Sequence, residues 1–160
     1  MVDKGEVVLL TSLSNGTTAR ASSVLQKNHK LYGPKKAFDY ENDTNCWNSE
    51  GSSSGKQDCY FIVEFERLVI PTEVRIQFQA GFSSEEVYVS RLGANANSYE
   101  PVDELEAEDE HEMQVFPLPV TDEAKEGSSA LKLEFKEFTD FYGRVTIYQL
   151  QVWGHEISTK

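Results

Sequence analysis

The sequence predicts an all-β domain, either a β-sandwich or an open barrel, and two observations support this fold class. Apolar and polar residues alternate with a period of two in several segments, which places successive side chains on opposite faces of a strand. Helical periodicity does not persist beyond about two turns, and Gly, Ser, Asn and Pro separate the apolar segments. Residues 1–160 are enough for one domain with its own core, and we expect a single domain.

The alternation is strictest at residues 60–65, 73–79 and 131–136. It is typical of antiparallel strands that have one face on the core and the other in water. These three strands are expected to bury nine side chains: Phe61, Val63, Phe65, Val74, Ile76, Phe78, Leu131, Leu133 and Phe135. Further strands are predicted at 7–13, 19–25, 87–92 and 113–116.

The last predicted strand, residues 145–152, contains a change of phase. The apolar positions are odd-numbered up to Ile147 but then continue at Leu150 and Val152. One additional residue in a strand shifts the alternation in this way and forms a β-bulge. We therefore predict a bulge near Tyr148-Gln149.

The chain carries 27 acidic and 15 basic residues, a net charge of −12. Binding to nucleic acid or to an anionic membrane needs a basic patch, so we predict neither partner. No apolar segment approaches the ~20 residues of a membrane-spanning helix, and the N-terminal residues lack the pattern of a secretory signal. We expect an intracellular protein in which Cys46 and Cys59 are thiols, packed as small apolar side chains.

Eight acidic residues lie in residues 100–112 and account for most of the excess charge. Without them the chain would hold 19 acidic residues against 15 basic ones, a balance of −4. Segments this rich in charge are usually solvated, so residues 93–112 are predicted to form a mobile acidic loop. The alternative is a segment that meets a basic surface on a partner.

The motifs of common enzyme classes are missing. A nucleophile needs a base beside it, and His29, His111 and His155 all fall in predicted loops or near the C-terminus. The sequence has no Gly-x-Ser-x-Gly, no His-Glu-x-x-His, no paired-cysteine zinc spacing and no phosphate-binding glycine loop. We therefore expect a protein without enzymatic activity.

Short oxygen-bearing side chains cluster just before a tryptophan. Asp39, Asn42, Asp43 and Thr44 precede Trp47, and a Ca²⁺ ion takes about six to eight oxygen ligands, often from a tight turn. The alternative is a turn in which these side chains bond their own backbone. Trp47 is likewise either a core residue or a platform on which a ligand stacks.

These residues also carry a resemblance to a known family. Phe38-Asp39, Trp47-Asn48-Ser49 and the closing segment 149–154 are similar to the signature of discoidin domains, which are galactose-binding-like β-sandwiches of the coagulation factor V/VIII C type. Further blocks resemble the small eukaryotic proteins associated with the testicular orphan nuclear receptor. The resemblance extends over residues 19–154, and its blocks are 21–25, 46–49, 76–84 and 138–145.

The resemblance implies a jelly-roll sandwich of about eight antiparallel strands, in a protein of the nucleus and cytoplasm that binds an orphan nuclear receptor and represses its transcriptional activation. It also implies a calcium site to which the closing strand gives a Glu carboxylate. This chain has Gln149 there, which removes a charge and weakens affinity for a hard cation. Calcium is the one candidate cofactor, at a weak or vestigial site formed by Asp39, Asn42, Thr44 and Gln149.

Three functions stay open from the sequence. The first is a protein-binding module that uses loops at one end of the sandwich, because aromatic and arginine side chains are typical of interface hot spots. The second is a carbohydrate-binding module in which Trp47 and Arg144 hold a sugar, although an intracellular location argues against it. The third is an adaptor subunit of a larger complex. Phe82 and Phe141 could instead be loop anchors under the sheets. The candidate partner-binding residues are Asn48, Ser49, Phe82, Tyr142 and Arg144.

Overall fold

The structure is a computed structural model, and it describes residues 6–157. These residues form nine strands: β1 Val8–Leu9, β2 Thr18–Ala21, β3 Trp47–Asn48, β4 Tyr60–Phe78, β5 Ser84–Gly93, β6 Glu100–Glu106, β7 Gln114–Pro117, β8 Ser128–Phe138 and β9 Thr146–Glu156. The helical segments are one short α-helix and four 3₁₀ turns: α1 His29–Tyr32, and Leu13–Asn15, Leu25–Lys27, Pro34–Phe38 and Ala124–Glu126. Within residues 6–157 no helix is long and apolar enough to cross a membrane.

The long strand β4 belongs to both layers of the sandwich. Its first part, Tyr60 to Glu64, pairs with β2 and β8, and β8 continues to β5 and β6. Its second part pairs with β7 and β9, and β9 also pairs with β1 and β3. The ladder to β8 breaks between Glu64 and Val69, where Glu66 adopts a φ of 60°. All these pairs are antiparallel, so the predicted all-β jelly-roll sandwich is confirmed.

The core between the layers is the one that the alternation predicts. All nine side chains named above are at most 1% exposed. Trp47 is fully buried among them, with its ring centroid 5.3 Å from that of Phe61 and 5.9 Å from that of Phe135. Its Nε1 donates a hydrogen bond to the Ser23 carbonyl at 3.0 Å. Trp47 is therefore a core residue, and the alternative that it forms a ligand-stacking platform is wrong.

The bulge in the last strand is confirmed. Gln77 pairs with Gln149 and Phe78 pairs with Ile147, so Tyr148 is the additional residue on β9. The bulge keeps both Ile147 and Leu150 fully buried although three positions separate them.

The predicted mobile loop at residues 93–112 is wrong for its central part. Glu100–Glu106 is strand β6, paired with β5. Leu105 is 5% exposed and packs in the core, while its acidic neighbours face outward. This one-sided burial stabilises the strand despite its charge. The strands predicted at 7–13 and 19–25 are shorter than expected, because Leu13–Asn15 and Leu25–Lys27 form 3₁₀ turns.

A buried arginine holds the segment before β8 against β5. Arg91 is 6% exposed, and its Nε donates to Ser128 Oγ at 2.7 Å. Its guanidinium also donates to the Gly127 carbonyl at 2.8 Å and pairs with the carboxylate of Glu100. This cluster lies at the opposite end of β8 from the loop that follows Phe138.

Candidate functional site

Two adjacent aromatic side chains project from the loop between β8 and β9. Phe141 is 80% exposed and Tyr142 is 49% exposed, and Phe141 is the most exposed large apolar residue within residues 6–157. Their rings meet edge to face with centroids 5.1 Å apart. Large exposed aromatic side chains are uncommon on surfaces that meet only water, so this loop is the first candidate for a contact surface.

Arg144 joins this loop to the turn between β4 and β5. Its guanidinium carbon lies 5.1 Å from the ring centroid of Phe82 and 5.5 Å from that of Tyr142. Cation–π contacts of this length fix the side chain between the two rings. We call Phe82, Phe141, Tyr142 and Arg144 the aromatic patch.

Asp140 fixes the orientation of Arg144 within the aromatic patch. Arg144 Nε donates to Asp140 Oδ2 at 2.9 Å, and Nη2 donates to Oδ1 at 3.2 Å. These hydrogen bonds from the Arg144 side chain lower the pKa of the Asp140 carboxyl. The positive charge of Arg144 is thus compensated within the site.

The serine-rich loop 51–55 supports the aromatic patch from behind. Ser52 N–H donates to the Tyr142 carbonyl at 2.9 Å, and Gln57 Nε2 donates to the Gly143 carbonyl at 2.8 Å. Gly55 has a φ of +65°, and a Cβ there would lie 2.4 Å from the Phe141 carbonyl oxygen. An open cleft of about 450 Å³ lies between residues 55–58 and residues 136–141, and Phe141 is one of its lining residues.

Part of the acidic segment is fixed beside Phe82. Asp109 Oδ1 accepts hydrogen bonds from Gly81 N–H at 2.8 Å and from Ser83 Oγ at 2.6 Å. These bonds, chiefly the one from Ser83, lower the pKa of the Asp109 carboxyl. We call residues 107–113, which join β6 to β7, the acidic connection. Its exposed acidic side chains therefore border the aromatic patch.

Asn48 and Thr146 lie next to the aromatic patch on paired strands. They face each other directly across β3 and β9, and Thr146 N–H donates to the Phe82 carbonyl at 3.0 Å. Asn48 Oδ1 and Thr146 Oγ1 are both buried, and neither has a hydrogen-bond partner within the described residues.

The chain is similar to named proteins over most of its length. The nuclear receptor 2C2-associated protein of Homo sapiens is 36% identical to it over 141 residues, which are 88% of this chain and 94% of that protein. The protein of the same name from Danio rerio is 33% identical over 144 residues, which are 90% of this chain and 95% of that protein. The chain belongs to the family of nuclear receptor 2C2-associated proteins. Residues 15–156 also match the family described as Sad1/UNC-like C-terminal.

Solved structures share the fold of this nuclear receptor 2C2-associated family member. An F5/8 type C domain from Bacteroides fragilis superposes with a TM-score of 0.75 at 12% identity and covers 96% of this chain and 99% of its own. A family 32 carbohydrate-binding module from C. perfringens, solved with galactose, gives 0.67 at 15% identity and covers 92% and 99%. At these identities the likeness shows the galactose-binding-like fold alone.

The structure brings together three of the five predicted contact residues and buries one. Phe82, Tyr142 and Arg144 form the aromatic patch, and Asn48 lies beside it. Ser49 is fully buried, and its Oγ accepts the Val145 N–H at 2.8 Å and donates to the Glu50 carbonyl. The prediction that Ser49 contacts a partner is therefore wrong, because its buried hydroxyl bonds the backbone of Val145 and Glu50 instead.

Two important residues, Phe141 of the aromatic patch and Asp140 beside it, were not among the predicted contacts. Phe141 is exposed and does not anchor the loop under the sheets, and Asp140 orients Arg144. The signal in the sequence was the Phe141-Tyr142 pair directly before Gly143, whose φ of +75° turns the chain back. A left-handed glycine after two aromatic residues is typical of a tight turn that presents them to solvent.

Three of the four predicted calcium ligands, Asp39, Asn42 and Thr44, lie in a turn whose side chains make hydrogen bonds within the turn. Asp39 Oδ2 accepts from Asn45 Nδ2 at 2.7 Å, and Asn42 Oδ1 accepts from the hydroxyl of Thr44 at 2.8 Å. Gln149 Oε1 accepts from Gln151 Nε2 at 3.2 Å on the closing strand. This pattern fits the hydrogen-bonded turn better than a calcium site, since Asp39 is the only one of the four predicted ligands that carries a formal charge. Within residues 6–157 no group of three or more His, Cys, Asp or Glu side chains could hold a metal.

Two of the three histidines, His111 and His155, make other contacts within the fold. His111 packs edge to face on Tyr148 with centroids 5.3 Å apart, and His155 Nδ1 lies 2.8 Å from the Glu6 carbonyl oxygen. Both cysteines are buried, and burial raises the pKa of the Cys59 thiol to about 11. A thiol with such a pKa is a poor nucleophile at neutral pH.

Proposed function

We propose that this protein is a non-catalytic binding module whose aromatic patch contacts a protein partner. The observation that supports this most strongly is the exposure of Phe141 and Tyr142 on a turn that Asp140 and the loop 51–55 hold in one conformation. A rigid aromatic surface loses little conformational entropy on binding, and tyrosine and arginine are enriched among interface hot spots.

A nuclear receptor is the partner class that the relatives favour. Six relatives at 32–37% identity carry the name nuclear receptor 2C2-associated protein. We propose that this chain binds a receptor of that kind in the nucleus and cytoplasm and represses its transcriptional activation. Imaging of the tagged protein in its own cells tests the location, and a receptor-driven reporter gene tests the repression.

Binding to purified nuclear receptor 2C2 tests the proposed contact surface. We expect Phe141→Ala and Tyr142→Ala each to weaken binding about tenfold or more, because truncation of a hot-spot aromatic costs over about 1.4 kcal/mol. Val120→Ala is the matched control, since Val120 is 40% exposed in the segment before β8, at the opposite end of the sandwich. Unchanged affinity in both aromatic variants would contradict the proposal.

The carbohydrate alternative is tested by sugar binding with the same Phe141→Ala variant. The fully buried Trp47 cannot stack on a sugar. Saturable binding of galactose or chitotriose that Phe141→Ala abolishes would favour a carbohydrate-binding module over a protein-binding one.

A further inference from the structure

One segment of this acidic chain carries positive charge that no carboxylate neutralises. Residues 7–38 contain Arg20, His29 and four lysines but no Asp or Glu. The four lysines are Lys27, Lys30, Lys35 and Lys36. Within residues 6–157 none of these lysines forms an ion pair, whereas each of the five arginines does. We call residues 26–36 the basic segment.

The basic segment is a compact projection that is anchored in the core on both sides. Val24 before it is 6% exposed and Phe38 after it is 2% exposed. Within it, Gly33 N–H donates to the His29 carbonyl at 3.1 Å, and Lys36 N–H donates to the Gly33 carbonyl at 3.0 Å. These bonds join α1 to the 3₁₀ turn that follows it. The lysines that this unit exposes are Lys27, Lys30 and Lys35.

The turn at the start of the basic segment is strained and held by Glu50. Gln26 and Lys27 have φ values of 54° and 55°, which side-chain-bearing residues rarely adopt. Gln26 N–H donates to Glu50 Oε2 at 2.9 Å, and Glu50 N–H donates to Ser23 Oγ at 2.9 Å. Strain of this kind is concentrated at functional sites. The bond from Gln26 uses the one carboxylate fixed beside the turn, so four lysines still leave the segment positive.

Glu50 also connects the basic segment to the aromatic patch. Gly51 follows it, and a Cβ on Gly51 would lie 2.9 Å from Tyr142 Cβ and from Arg144 Cγ. The basic segment therefore borders the aromatic patch at Tyr142, whereas the acidic connection borders it at Phe82. The two sides of the aromatic patch differ in charge.

The chemistry of the basic segment favours an acidic stretch of protein as its partner. Leu31 is 55% exposed on α1, directly after Lys30. A surface that combines lysines with an exposed leucine and the aromatic patch fits a segment with both carboxylate and apolar side chains. A nucleic acid fits less well, because its phosphates would also meet the acidic connection and a net charge of −12.

We propose that the basic segment binds an acidic segment of the protein partner. Its Asp or Glu side chains meet Lys27, Lys30 and Lys35, and its apolar side chains cover Leu31 and the aromatic patch. This inference rests on the proposed function and adds the charge and the orientation of the partner. Charges at the rim of an interface act mainly on the rate of association.

Charge reversal in the basic segment tests this with purified nuclear receptor 2C2. We expect Lys30→Glu and Lys35→Glu each to slow association about fivefold at low ionic strength. The difference from wild type should shrink at about 0.5 M salt, where charges are screened. Lys125→Glu is the matched control, because it changes the net charge equally and its side chain is 57% exposed at the opposite end of the sandwich. Equal slowing in this control would contradict the inference.

A pair of synthetic peptides tests the site without the receptor. We would titrate acetyl-Asp-Glu-Leu-Phe-Glu-Asp-amide into the ¹⁵N-labelled protein, with acetyl-Asn-Gln-Leu-Phe-Gln-Asn-amide as the neutral control. We expect saturable amide shifts at residues 26–36 and at Tyr142 with the acidic peptide alone, and much weaker binding in Lys30→Glu. Equal shifts with both peptides, or none with either, would overturn the inference. Binding of duplex DNA at these residues in place of the acidic peptide would overturn it as well.

The outcomes separate this inference from the proposed function. If Phe141→Ala weakens receptor binding but Lys30→Glu and Lys35→Glu do not slow association, the contact surface stands and the acidic partner segment is wrong. If both lysine variants slow association but no aromatic variant changes receptor binding, the basic segment stands and the aromatic patch is not the contact surface.

Discussion

Arg144 and Asp140 are joined at three points across one turn. Besides the two bonds from the guanidinium, the Arg144 backbone N–H donates to Asp140 Oδ2 at 3.0 Å. The Asp140 side chain is 11% exposed, so these charge-assisted bonds form largely out of water. The turn that carries Phe141 and Tyr142 is therefore closed by the residues on either side of the aromatic pair.

Removing the Asp140 charge should loosen this turn. We expect Asp140→Asn to lower the free energy of unfolding by about 1–2 kcal/mol, because the bonds from Arg144 lose their charged acceptor. It should also weaken partner binding several-fold, since Arg144 and the aromatic pair lose their fixed orientation. Chemical denaturation and binding measurements check both effects. Asp122→Asn is the control, because the Asp122 side chain is 98% exposed, and an equal effect in that variant would contradict this role.

The contribution of Asp140 should depend on pH in a defined direction. Arg144 lowers the pKa of Asp140 in the folded state, so the carboxylate stabilises the fold at pH values above the ordinary aspartate pKa of about 4. As the pH falls below that value, the unfolded chain takes up the proton first and the stabilisation is lost. The difference in Tm between wild type and Asp140→Asn should be constant near neutral pH and shrink below about pH 4. A difference that stays constant in acid would speak against the lowered pKa.

Arg91 should be essential for stability although it lies far from the aromatic patch. Arg91→Met would leave Ser128 Oγ and the Gly127 carbonyl without their donor in a buried site. We expect a loss of about 3 kcal/mol in the free energy of unfolding. Partner affinity per folded molecule should not change. Arg20→Met is the control, because the Arg20 side chain is 62% exposed, and its surface ion pair should contribute less than about 1 kcal/mol.

Gly55 should be required for the position of Phe141. In Gly55→Ala the new Cβ would meet the Phe141 carbonyl at 2.4 Å, so the backbone of one loop must move. Gly16→Ala is a matched control, since Gly16 also has a positive φ but open space around it. That control should cost about 1 kcal/mol from strain alone. We expect Gly55→Ala to cost more and to weaken partner binding. Similar losses of stability with unchanged binding would show that the two loops are not coupled.

Calcium provides a test of the turn at Asp39. Because its oxygens already accept hydrogen bonds from Asn45 and Thr44, we expect millimolar Ca²⁺ to release no saturable heat and to leave Tm unchanged. Calorimetric titration with a parallel melting scan measures both. Saturable heat that is present in the wild type and absent in Asp39→Ala would show that calcium does bind at this turn.

The sequence was most informative where burial repeats along a single strand. Alternation located the core residues of β4 and β8, and the slip after Ile147 located the bulge at Tyr148. In these strands the polarity of each residue indicates whether its side chain faces the core or water, so the local pattern is sufficient to predict the buried face.

The rest depended on contacts between distant segments. Ser49 is buried because β3 pairs with β9, almost a hundred residues later in the chain. The acidic residues of β6 led to the prediction of a loop, because the one-sided burial that identifies this strand depends on its pairing with β5. For the aromatic patch, residue types indicated Phe82, Tyr142 and Arg144, but the exposure of Phe141 follows from the loop 51–55 packing behind it.

The pairing of β9 has a consequence for synthesis of the protein. β1, β3 and the second part of β4 all pair with this strand, which is the last of the nine in the chain. Half of the sandwich therefore cannot assemble until β9 has left the ribosome, and until then the apolar side chains in the second part of β4 lack their main partner strand. Nascent chains stalled before Thr146 should accordingly be sensitive to proteases and should depend on chaperones.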